Sequence, residues 1–189
     1  MNRLFRYQNG EIKVMWNEIP MKKDYKESFY HKMITQETRH ISYSYILGLE
    51  LQIHTGGRIC YGMLCSKVQP LDKQNTVKLS ISFTQQNTVK YKRSILLDDR
   101  YVYKGLPEKF LEKVSNCICE KIKGKREFPQ CEIELMYAAN CEVGSSSMFF
   151  GIISNILIDL IYKSSLDELS SISVEDFKQK YLEEIAFIY

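Results

Sequence analysis

The sequence predicts an α+β fold, a mixed β-sheet with helices on one face. Three observations carry this: several β-rich runs come first, a helix-spaced apolar stripe follows near residues 107–123, and a broadly apolar segment sits at 148–163 after one more strand-like run.

The elements follow in order along the chain. Glu11 to Trp16 alternates as a short strand does, after a turn at Asn9-Gly10. Pro20 to Lys26 reads as a basic loop. Ile41 to Ile53 reads as one long strand, or two broken near Gly48. Thr55-Gly56-Gly57-Arg58 interrupts it, and a second β run extends from Ile59 to Val68 and stops at Pro70. Two β runs joined by a glycine turn predict a hairpin. Val77, Leu79, Ile81 and Phe83 alternate, as in a half-buried strand. Residues 89–103 are ambiguous between loop and strand.

Pro107 opens a helix, where its missing N–H costs nothing. Phe110, Leu111, Val114, Ile118 and Ile122 form its stripe, and Gly124 stops it. Ile133 and Leu135 alternate with Glu132 and Glu134 in a further strand. Ser145 and Ser146 are capping residues for a helix over Met148–Lys163. Its apolar run is broken by Gly151, Ser154, Asn155 and Asp159, and it is shorter than a membrane span, so a buried helix is expected. A last amphipathic helix is expected from Val174, with Ser173 as its cap.

Composition narrows the function classes. The net charge is +3, from 26 basic and 23 acidic residues, so only a local patch can bind nucleic acid. Six cysteines, at 60, 65, 117, 119, 131 and 141, form no CxxC pair, and no metal or cofactor is expected. Met1 to Gly10 lacks the apolar core of a secretion signal. The expectation is a cytoplasmic protein with reduced thiols and no membrane contact.

Some residues invite a chemical reading beside a plainer one. Cys141 precedes a helix start, where a thiol becomes more acidic, but a nucleophile needs a histidine nearby. His31, His40 and His54 are all distant in sequence, so no catalytic constellation is supported and a non-enzymatic protein is expected. Ser145–Ser147 reads first as helix capping, and as a phosphate-binding turn second. Lys121, Lys123, Lys125 and Arg126 complement a helix C-terminus, with phosphate contact as the functional alternative. Lys90, Lys92 and Arg93 form a looser cluster.

Two segments resemble domain IV of the translocase family that includes elongation factor G and the tetracycline ribosomal-protection proteins. The first is His54-Thr55-Gly56-Gly57-Arg58-Ile59-Cys60-Tyr61-Gly62 with Pro70-Leu71. The second is Cys131 to Tyr162, with Val143-Gly144-Ser145-Ser146-Ser147-Met148 where the family has a serine-rich turn into a long helix. Gln36-Glu37-Thr38 is similar to the family's first strand. The departures are Cys141-Glu142 in place of a histidine and acidic residue, and Ser147 in place of glutamate. No GxxxxGK[ST] motif occurs, so a P-loop GTPase is excluded.

The resemblance implies a domain IV-like unit over 34–163, an N-terminal extension with short strands over 1–33, and a C-terminal amphipathic helix over 164–189. It implies a left-handed βαβ crossover. It implies a stand-alone module that binds the ribosome or structured RNA through two tip loops. Those loops contain Gly56, Gly57 and Arg58 in one and Asn140, Cys141 and Glu142 in the other, with a separate GTPase as a partner in trans. The alternative is a protein-interaction module, homodimeric or docked on another protein, with the RNA role lost.

Overall fold

Alternating apolar runs become one large sheet in the computed structural model, which describes residues 2–7, 10–96 and 101–165. The elements are β1 (Asn2–Tyr7), β2 (Gly10–Trp16), β3 (Ser28–Thr35), β4 (Thr38–Arg39), β5 (Tyr45–Thr55), β6 (Arg58–Pro70), β7 (Thr76–Phe83), β8 (Val102–Lys104), α1 (Glu108–Lys123), β9 (Phe128–Pro129), β10 (Cys131–Cys141) and α2 (Ser147–Ser164). This is an α+β protein, rich in strand and with two helices among the described residues.

The sheet order is β1-β2-β5-β6-β10-β7-β3. Every neighbouring pair on this path is antiparallel except β10–β7. Parallel neighbours need a crossover, and α1 supplies it. The far edge of β10 is shared: β7 pairs with Glu132–Leu135 and β8 with Ala139–Cys141. The small β4–β9 pair stands apart from the large sheet.

Strand alternation sorts the side chains onto two faces. Leu47, Leu49, Leu51 and Ile53 of β5 point into the core that holds Phe110, Val114 and Ile118 of α1 and Phe149, Ile153 and Leu157 of α2. The second core holds Tyr61, Met63 and Cys65 of β6, with Tyr91, Leu96 and Val102 from the segment after β7, and includes no helix residue. Both helices therefore cover one face, and irregular chain covers part of the other. Each fully buried large apolar side chain contributes about 1.5–3 kcal/mol relative to exposure.

α2 sits close on the sheet because position 62 is glycine. A Cβ there would lie 2.6 Å from Ile153 Cδ1. Phe110 and Phe150 stack at 5.0 Å between the helices. α2 is long and apolar enough to cross a membrane, with a mean hydropathy of 1.3, but most of its surface is buried by α1 and the sheet. Its cap is Ser146, whose hydroxyl accepts the Phe149 N–H at 3.1 Å.

Several expectations changed in detail. β5 runs through Gly48 without a break. The ambiguous stretch at 89–103 yields the start of the three-residue strand β8. Residues 1–33 were expected to form an extension with short strands, and β1 and β2 are short strands within that span. They continue the large sheet beyond β5, while β3, which begins inside that span, forms the opposite edge. The C-terminal helix expected from Val174 lies outside the described residues. None of the six cysteines is in a disulfide, and four of them, Cys65, Cys117, Cys119 and Cys131, are buried.

Candidate nucleic-acid interface

Two turns meet at one end of the sheet. The β5–β6 hairpin turns at Gly56 and Gly57, with φ of +52° and +82°. A two-residue hairpin with positive φ at both positions favours glycine, so this turn is explained by backbone geometry alone. Arg58 beside it is exposed.

The second turn leaves β10 at Cys141 and enters α2. It lies directly on β6 at Tyr61, four residues after Gly57 of the hairpin tip. Tyr61 N–H donates to Gly144 O at 3.0 Å, and Ser145 Oγ donates to Tyr61 O at 2.6 Å. Ser145 Oγ also accepts the Cys141 N–H at 2.8 Å, which closes the turn on itself. Gly144 is required by proximity: a Cβ there would sit 2.4 Å from the Ile59 carbonyl oxygen.

The residues expected at the second tip divide. Glu142 and Val143 are exposed, Val143 at 86%. Asn140 is 2% exposed and is a structural amide. It exchanges paired hydrogen bonds with Asn87, both 3.1 Å, and donates to Gly105 O at 3.0 Å. Asn140 is thus a brace beneath the turn, not part of a recognition tip. Cys141 is half-buried, and two of the three histidines are engaged elsewhere: His54 contacts Gln52 and His31 contacts Ser80.

The basic cluster at 121–126 lies at the opposite end. α2 starts at the tip and runs for 18 residues, a length of about 27 Å at 1.5 Å per residue. Its last turn meets the cluster, where Tyr162 Oη donates to Arg126 O. Two of the four cations are already paired inside the protein. Lys121 and Lys125 bind the two carboxylate oxygens of Asp159 at 3.0 and 2.5 Å, and Asp159 is 3% exposed. Burial disfavours that carboxylate, yet hydrogen bonds from Lys125 and Lys121 outweigh it and hold its pKa below the ordinary value. Lys123 and Arg126 remain exposed.

Different residues supply chemistry at the tip. Lys90 Nζ sits 3.8 Å from the Tyr103 ring centroid and 5.9 Å from that of Tyr101. Tyr101 is 48% exposed, and its carbonyl accepts the Glu142 N–H at 3.0 Å. Tyr103 Oη lies 3.4 Å from a Glu142 carboxylate oxygen. Ile59 and Met148 add exposed apolar surface nearby. The alternation Tyr101-Val102-Tyr103 was the available signal for this aromatic pair. Its pairing with Asn140 and Cys141 was not visible locally. A cavity of about 500 Å³ adjoins the tip, lined by Gln85, Gln86, Asn87 and Pro107 among others.

A second polar chain lies on the loop-covered face. His31 Nδ1 is 3.0 Å from Ser80 Oγ, which donates to Glu132 at 3.2 Å. A nucleophilic serine would give its proton to the histidine. Here Ser80 gives it to the carboxylate and is 3% exposed, so the chain is a structural network. Among the described residues no group of three His, Cys, Asp or Glu side chains is placed to hold a metal. No protein-family model matches this chain, and no curated protein matches it with significance.

Proposed function

We propose that the protein is a non-enzymatic RNA-binding module that docks on the ribosome, or on another structured RNA, through the end formed by the Gly56-Gly57 turn and the Glu142–Ser145 turn. The observation that carries this reading is the adjacency of those two turns, fastened together through Tyr61. Arg58 and Lys90 meet phosphates there, and the exposed face of Tyr101 stacks on an unpaired base. The module carries no GTPase motif of its own, so a nucleotide-driven step requires a separate GTPase. The connection order of the main strands supports the domain IV resemblance: β5, β6, β7, α1, β10, α2, with only the short β8 and β9 in between, in spatial order β5-β6-β10-β7. On this reading the β7-α1-β10 crossover is left-handed, against the usual preference for right-handed connections.

The test is co-sedimentation of the purified protein with ribosomes across a salt series. Binding that weakens steeply as salt rises is expected, because phosphate contacts release counterions. No sedimentation at low salt removes the proposal.

A second reading is favoured by Ile59, Val143 and Met148, three exposed apolar side chains at or beside the same tip. A protein partner would bury them. Salt-insensitive binding to ribosomal proteins, or a homodimer lost on Val143→Asp, supports this reading over the first.

A further inference from the structure

A fully buried carboxyl sits in the second core and takes no part in the proposed interface. Glu50 is 0% exposed, in the middle of β5. One of its oxygens, Oε1, accepts the Tyr61 hydroxyl at 2.7 Å and the Ile95 backbone N–H at 3.0 Å. The other, Oε2, is buried with no hydrogen-bond partner. An ionised carboxylate in that position lacks donors for half of its lone pairs and has lost its water.

The Ile95 N–H belongs to the segment Tyr91–Leu96, which covers the second core. Tyr91 is 2% exposed and Leu96 9% exposed, and both pack with Met63 and Cys65. Among the described residues, the segment is also held by the Tyr91 N–H on Val102 O at 3.0 Å. The Glu50 bond is thus one of its polar tethers. The charged and titratable groups facing this site come from five elements. They are Lys13 on β2, Glu18 after β2, Tyr61 and Cys65 on β6, Cys141 on β10, and Tyr91 and Arg93 on the segment itself.

We propose that Tyr91–Leu96 is a proton-latched cover, closed over the second core while Glu50 is protonated and loosened when Glu50 ionises. Opening gives water to the carboxylate and releases one proton to solvent. Burial raises the Glu50 pKa, and the Tyr61 and Ile95 hydrogen bonds and Lys13 oppose that rise without cancelling it. The raised value sets the direction. Protonation supports the closed state fully below the ordinary carboxyl value of about 4.5. That support is lost as pH climbs through the higher closed-state value. Tyr61 joins the cover to the tip, because its side chain holds Glu50 while its backbone holds Gly144 and Ser145.

Cys65 reports opening, since it is 0% exposed beneath the cover. The experiment alkylates the full-length protein with iodoacetamide between about pH 5 and 9 and follows Cys65 by mass spectrometry, in wild type and in Glu50→Gln. Glutamine keeps the acceptor for Tyr61 and Ile95 and cannot ionise. Dividing the two rates removes the intrinsic pH dependence of the thiol. The expected ratio of wild type to variant is smallest at the acid end, next to the ordinary carboxyl value. It climbs by up to about tenfold per pH unit between that value and the closed-state value, where opening releases one proton, and levels off above it. A ratio flat within about twofold over the range overturns the proposal. If Glu50→Gln does not fold, amide exchange in wild type decides, corrected for intrinsic rates. Protection should fall with pH at Tyr91–Leu96 and stay constant at Leu157–Ile161. An unchanged cover, or parallel loss in both, overturns it.

Discussion

At the end where α1 finishes, Lys125 lies over the Tyr162 ring at 5.1 Å and binds the buried carboxylate of Asp159. At the other end, Lys90 lies over the Tyr103 ring at 3.8 Å, with the exposed Glu142 within reach of the Tyr103 hydroxyl. The residue types match, and their use differs. At the α1 end the carboxylate is inside the protein, so the lysines cannot leave without stranding it. At the tip the partners are at the surface, where water or a phosphate can replace them. A dense run of Lys and Arg in sequence therefore marks the structural end here, and the sparser cations mark the end proposed to meet a ligand.

The largest expected effect breaks the α1 end. Asp159→Ala should destabilise the protein by about 3 kcal/mol, the low end for a broken buried pair, because Lys121 and Lys125 can turn partly toward water. Urea unfolding at neutral pH measures it. A loss below about 0.5 kcal/mol would mean the two lysines are surface charges after all. The same pair predicts an acid dependence. The Asp159 pKa is lowered, so its contribution is present above the ordinary value of 3.8 and is lost as pH falls through the lowered folded value. The stability gap between wild type and Asp159→Asn should therefore be widest near neutral pH and shrink in acid. A gap independent of pH contradicts it.

A smaller effect tests whether the two tip turns depend on each other. Gly144→Ala places a Cβ against the Ile59 carbonyl, a rigid backbone atom, so the turn must lift off β6. The expected cost is about 1–3 kcal/mol, as for other overpacked sites. On the proposed RNA-binding reading, RNA affinity should fall with it, since the turns would no longer present one surface. Thermal melts and RNA titration read the two consequences separately. Unchanged stability would show that the turn has room to move.

Much of this arrangement was legible from alternation and punctuation. The hairpin at Gly56-Gly57, the start of α1 after Pro107 and the serine cap of α2 are local signals, set by backbone geometry within a few residues. β3 was missed because Ser28–Thr35 mixes apolar, basic and polar residues, and only Ile34 is buried. An edge strand has little need of a clean pattern when one neighbour supplies its hydrogen bonds. The roles of Asn140 and Lys121 were also hidden. Asn87 lies 53 residues from Asn140. Lys121 finds Asp159 only when two helices pack, and charge counting gives no account of partners so far along the chain. Tyr101 and Tyr103 entered the tip through the pairing of β8 with the end of β10, a contact that three residues of strand do not announce.

The smallest expected effect separates the two ends most directly. Arg58 and Lys123 are both exposed cations, so replacing either with alanine should change stability by no more than about 0.5 kcal/mol. Their effect on RNA binding should differ. If the tip is the interface, Arg58→Ala removes one phosphate contact, and the slope of log affinity against log salt falls by about 0.7–0.9. Lys123→Ala, some 27 Å away by the length of α2, should leave that slope unchanged. Fluorescence anisotropy with a labelled RNA hairpin at several salt concentrations measures both. A slope change at Lys123 and none at Arg58 would move the interface to the α1 end, where only Lys123 and Arg126 of the four clustered cations are not already held by Asp159.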